Sequence, residues 1–139
     1  MCMALCIGPD QPLSEIPWVE ANPPFRVIAA ARDHAARDRF RTPHVYDVGS
    51  HDGCACGFQL VQYPQFEDEG APLTRRSLAE LATCLEDCLS EGGQIELFAC
   101  RIGDEFGEPA SRSVLSPQAL RGGTDFFRER EMLRLAQHA

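Results

Sequence analysis

The sequence predicts an α+β fold. A single domain over 1–139 should set a mixed or antiparallel sheet against one long amphipathic helix, with short helices beside it. Three observations predict this. Over 75–91, Leu78, Leu81, Ala82, Leu85, Cys88 and Leu89 recur at helical spacing and form one apolar stripe. Over 94–101, QIELFACR, Ile95, Leu97 and Ala99 fall on one face of an extended chain, and Glu96, Phe98 and Cys100 on the other. Neither an internal repeat nor a long linker divides the 139 residues, a length one domain with a real core accounts for.

In chain order, residues 2–8 read as a short strand covered on both faces, because their apolar run is continuous. Five prolines between 9 and 24 make the next stretch an irregular connector, with Trp18 as its anchor to the core. A strand follows at 25–29. Asp33 then caps a short Arg-rich helix over 34–41, with Ala36 and Phe40 inward, and Thr42-Pro43 stop it. A central hairpin is expected next, with strands at 45–48 and 58–63. Glu67-Asp68-Glu69-Gly70 reads as a solvated acidic loop. Thr74 caps the long helix and Gly92-Gly93 end it. Cys84 and Cys88 are neighbours on that helix at i, i+4. They could supply half of a four-ligand metal site, but packing is the simpler account. After the 94–101 strand, 103–112 reads as a polar loop. Ser116-Pro117 opens a short helix through Arg121, with Pro at its first turn. A closing strand is expected over 130–135.

Composition excludes several function classes. The formal charge is −8, from 21 acidic residues against 13 basic ones, and every basic residue is Arg. With no Lys there is no Schiff-base lysine and no P-loop lysine. An acidic chain repels phosphate backbones, which argues against nucleic acid as a partner. No apolar run reaches the 18 or so residues of a membrane span. The apolar start, Met1 to Ile7, lacks a basic flank and is cut short by Pro9-Asp10, unlike a signal peptide. These readings place the protein in the cytoplasm, off the membrane. The expected partners are a small molecule or another protein, a second copy of the chain included. Seven cysteines, an odd number, rule out complete pairing within the chain and point to reduced thiols.

Within the 42–63 stretch, the 49–57 loop concentrates the chemistry. It holds Gly49, Gly53 and Gly57 around His51, Cys54 and Cys56. Glycines there allow sharp changes of direction. Cys54 and Cys56 would share a face in an extended chain, and a turn between glycines would also bring their sulfurs toward one point. Thiolate and imidazole are the ligands zinc prefers. The expected metal ligands are therefore Cys54, Cys56, His51 and Cys100, with Cys2, Cys6 and His44 as further candidates and zinc as the expected cofactor. The same loop suits thiol redox or thiol-transfer chemistry, since a neighbouring imidazolium or a nest of N–H groups lowers a thiol pKa. A Cys2 nucleophile exposed by loss of Met1 is a third possibility. An interaction module whose cysteines only pack is a fourth. Ser50-His51-Asp52 has the residue types of a catalytic triad, but contiguous residues do not converge as a triad requires.

HVYDVGSHDGCACGF, followed downstream by QIELFACRIGDE, resembles the signature of a family of small, uncharacterised bacterial proteins. The two motifs cover about a fifth of the chain. The resemblance implies a bacterial, cytoplasmic, single-domain protein and directs attention to His51, Cys54 and Cys56. It carries no activity with it.

Overall fold

A computed structural model describes residues 3–17, 25–32, 34–50, 55–58, 67–90, 94–102, 108–122 and 130–135. These form the expected α+β domain. The strands are β1 (Met3–Pro9), β2 (Arg26–Ala29), β3 (Tyr46–Gly49), β4 (Ile95–Arg101), β5 (Ser111–Leu115) and β6 (Glu131–Leu135). The helices are α1 (Glu67–Leu89) and α2 (Pro117–Gly122), with 3-10 turns at Ala35–Arg39 and Ala55–Phe58. One six-stranded sheet runs in the order β2-β3-β1-β4-β6-β5. The β5–β6 pair is parallel and every other neighbouring pair is antiparallel, so the sheet is mixed.

Alternation along each strand builds two cores. On one face Leu5, Ile7, Val27, Val48, Leu97 and Leu133 meet Leu78, Leu81, Leu85 and Leu89 of α1. Each of those four leucines is at most 2% exposed, and burying each contributes about 1.5–3 kcal/mol. On the other face Cys6, Ala30, Ala36 and Val45 form one cluster, and Phe98, Cys100 and Met132 another. Phe40, from just after the first 3-10 turn, packs against both. β1 is thus covered on both sides, as its unbroken apolar run requires.

Several local expectations change. α1 begins at Glu67, so the acidic stretch expected to be a loop is its first turn, and Thr74 lies inside the helix. Pro72 sits within the helix and does not end it. Phe58, expected to open a strand, closes the second 3-10 turn instead; residues 59–63 lie outside the described set, as do Asp33 and Trp18. The first helix is a 3-10 turn capped by His34, whose Nδ1 accepts the Ala36 N–H at 3.1 Å. Ser111–Leu115, expected to be loop up to 112, is the edge strand β5. The Ser116-Pro117 helix start holds: Ser116 Oγ accepts the Ala119 N–H at 3.3 Å.

Candidate functional site

β3 brings the chain to the 49–57 loop. Gly49 is paired with Arg26, and Ser50 is fully buried. On the far side of the loop, Ala55 and Phe58, each 1% exposed, anchor the 3-10 turn in the α1-side core. The Phe58 ring meets Phe25 edge-on at 6.3 Å between centroids. Cys56 belongs to this turn by its backbone, while its side chain lies outside the described residues. His51 and Cys54 lie outside them as well, as does Cys2.

Cys100 sits near the end of β4, 1% exposed, in the cluster with Phe98 and Met132. The register pairs Met3 with Arg101, Leu5 with Val48 and Arg26 with Gly49, which puts Cys100 and Gly49 at the same end of the sheet. Gly49, one residue past the core-facing Val48, falls by alternation on the Cys100 face, whereas Ala55 and Phe58 beyond the loop belong to the α1-side core. Cys6 shares the Cys100 face from the middle of β1. His44 precedes β3 at its other end, five residues or roughly 16 Å of extended chain from Gly49. Among the described residues no group of three or more His, Cys, Asp or Glu side chains is placed to hold a metal ion.

A second set of thiols lines a cleft of about 610 Å³ between the 10–17 connector and the C-terminal half of α1. The connector is held at four points. Leu13 bonds the Tyr46 hydroxyl through both its N–H and its carbonyl. Ile16 exchanges backbone bonds with Val27 at 2.8 and 2.9 Å. Glu15 Oε2 accepts the Ala29 N–H at 3.1 Å, and Asp10 Oδ2 accepts the Gln94 N–H at 2.8 Å. Facing this wall, Cys84 and Cys88 project from successive turns of α1, half-buried, with their inner sides against the main core. The Cys88 side chain hydrogen-bonds to Cys84 and holds the Cys84 thiol below its ordinary range, against burial and the Asp87 charge, which push it up. Asp10, Glu80 and Asp87 make the surroundings acidic. Cys6, Cys84, Cys88 and Cys100 are all outside disulfides.

The i, i+4 spacing of Cys84 and Cys88 could be read in the sequence. Their position on a cleft could not, because the opposing wall comes from a connector some seventy residues earlier in the chain. A smaller cleft of about 320 Å³, on the opposite sheet face, gathers Arg41, Arg112 and Arg134 with Asp10 and Glu96 and so presents charges of both signs. No helix among the described residues is long and apolar enough to cross a membrane.

Compared with protein-family models, curated proteins and solved structures, the chain matches none.

Proposed function

We propose that this protein is a cytoplasmic, cysteine-dependent metal-binding protein, with zinc held by His51, Cys54 and Cys56. The observation that carries the reading is the density of suitable donors: one imidazole and two thiols within six residues, set between glycines. Thiolate and imidazole are zinc's preferred donors, and three protein ligands leave a fourth position for water or substrate. The framing of the loop supports the reading. Ser50 is fully buried on one side, and Ala55 and Phe58 fix the turn that carries Cys56 on the other. A loop held at both ends loses less entropy when a metal orders it. Cys100, at the same end of the sheet as Gly49, is the candidate fourth ligand.

Metal analysis of the purified protein, alongside Cys54→Ser and Cys56→Ser, tests the reading. One zinc per chain, lost in both variants, is the expected result. Metal-free protein with one fast, low-pKa thiol at 54 or 56 would replace it with thiol redox or thiol transfer. Metal-free protein with slow thiols throughout would leave an interaction module.

A further inference from the structure

We infer that Cys84 and Cys88 form a second site, independent of the 49–57 loop, that chelates a soft two-coordinate cation of the copper(I) class in the cleft facing the 10–17 connector. Three features select that chemistry.

The first is the number of donors. Among the described residues no third His, Cys, Asp or Glu is placed to complete a metal-binding group with the pair. Zinc wants about four donors, whereas copper(I) is satisfied by soft sulfur ligands and selected by them.

The second is distance. Residues four apart on a helix carry their Cβ atoms about 5–6 Å from each other. A disulfide needs them at about 3.5–4.5 Å, so the pair cannot close on itself while α1 keeps its helical geometry. A metal ion between the sulfurs relaxes that requirement, because two metal–sulfur bonds span more than the single S–S bond of about 2.05 Å.

The third is charge and setting. Asp10, Glu80 and Asp87 give the cleft an acidic lining that draws a cation toward the two thiols. The inner sides of both cysteines rest on the main core, so their attachment is rigid, and the open cleft gives the ion a path in. Both side chains line the same cleft from successive turns of α1.

Binding involves no change of oxidation state. The ion gains two sulfur bonds, the two thiols give up their protons to solvent, and a net charge of −1 is left on the bis-thiolate complex.

The test uses the full chain carrying Cys54→Ser and Cys56→Ser, so that success or failure at the loop does not enter. One equivalent of copper(I), supplied anaerobically with a reductant and a chromogenic competing chelator, is added before alkylation and peptide mapping. Cys84 and Cys88 should both be protected, and zinc should not protect them. Cys84→Ser or Cys88→Ser should each weaken copper(I) by on the order of a hundredfold, because the second thiolate binds at high effective concentration once the first is engaged. Circular dichroism checks that each variant folds, and Cys84→Ala and Cys88→Ala serve if a serine variant does not. Protection confined to other cysteines, affinity unchanged in the single variants, or equal protection by zinc would overturn the proposal.

Discussion

Leu13 and Tyr46 are joined by two hydrogen bonds: the Leu13 N–H donates to the Tyr46 hydroxyl oxygen at 2.8 Å, and that hydroxyl donates to the Leu13 carbonyl at 3.2 Å. A single phenol thereby satisfies both backbone groups of a residue in the proline-rich connector. Tyr46→Phe keeps the ring in the core and removes both bonds. The expected cost is about 1–3 kcal/mol, since a partly buried donor and acceptor lose their partner. The urea midpoint measures it. Because Leu13 lines the cleft, Cys84 and Cys88 should also alkylate faster in this variant.

Gly8 is a point of close approach on the other sheet face. A Cβ there would collide with Phe40 Cδ1 and stand 3.0 Å from Thr42 Cγ2. Phe40 packs against both clusters of that face, so moving its ring aside disturbs both. Gly8→Ala is expected to destabilise by about 1–3 kcal/mol, as overpacking does. The denaturation midpoint should fall while the cleft thiols keep their reactivity, because the two faces are separated by the sheet.

Cys84 ionises more readily in the folded chain than its ordinary value of 9.0 would give, chiefly through the hydrogen bond from Cys88. Its alkylation rate should therefore exceed that of an ordinary thiol at pH values below 9.0. Cys88→Ser substitutes a hydroxyl for the thiol, and Cys88→Ala removes the hydrogen bond. In the alanine variant burial and Asp87 act unopposed, so the Cys84 rate should drop at the same pH. The linkage has a definite direction. A depressed folded-state pKa adds stability that is complete above the unfolded value and is lost as pH falls through the folded one. Rates of iodoacetamide modification, followed by mass spectrometry across pH, check both points.

The sequence made some of this architecture readable and hid the rest for physical reasons. The α1 stripe, the two faces of β4 and the Ser116-Pro117 start were legible because each is a local pattern of side chains that carries over directly into burial and capping. The first two turns of α1 were not, because Gly70 and Pro72 are loop residues by habit and the acidic run reads equally as solvated loop or helix start. β5 escaped notice because it is an edge strand. Ser111 to Val114 are all exposed, so no alternation of burial marks them. The turn at Ala55–Phe58 buries residues three apart across the boundary between the expected 49–57 loop and the strand expected from 58, so neither reading marked it. Strand order β2-β3-β1-β4-β6-β5 depends on pairings between distant segments, and so does the cleft opposite Cys84. The placement of Cys100 on the face away from Ala55 and Phe58 follows from that order and from β4's alternation together.

The spectrum of the protein loaded with cobalt(II) in place of zinc tests the central claim most directly, because thiolate-to-cobalt charge transfer reports sulfur ligation at the metal itself. Protein carrying Cys84→Ser and Cys88→Ser should show the charge-transfer bands at one cobalt per chain, and zinc should abolish them by displacement. Adding Cys54→Ser and Cys56→Ser should remove the bands, and His51→Ala should weaken cobalt binding while leaving sulfur ligation visible. Bands that persist without Cys54 and Cys56, or a full-length protein that takes up no cobalt, would contradict a metal site in the 49–57 loop.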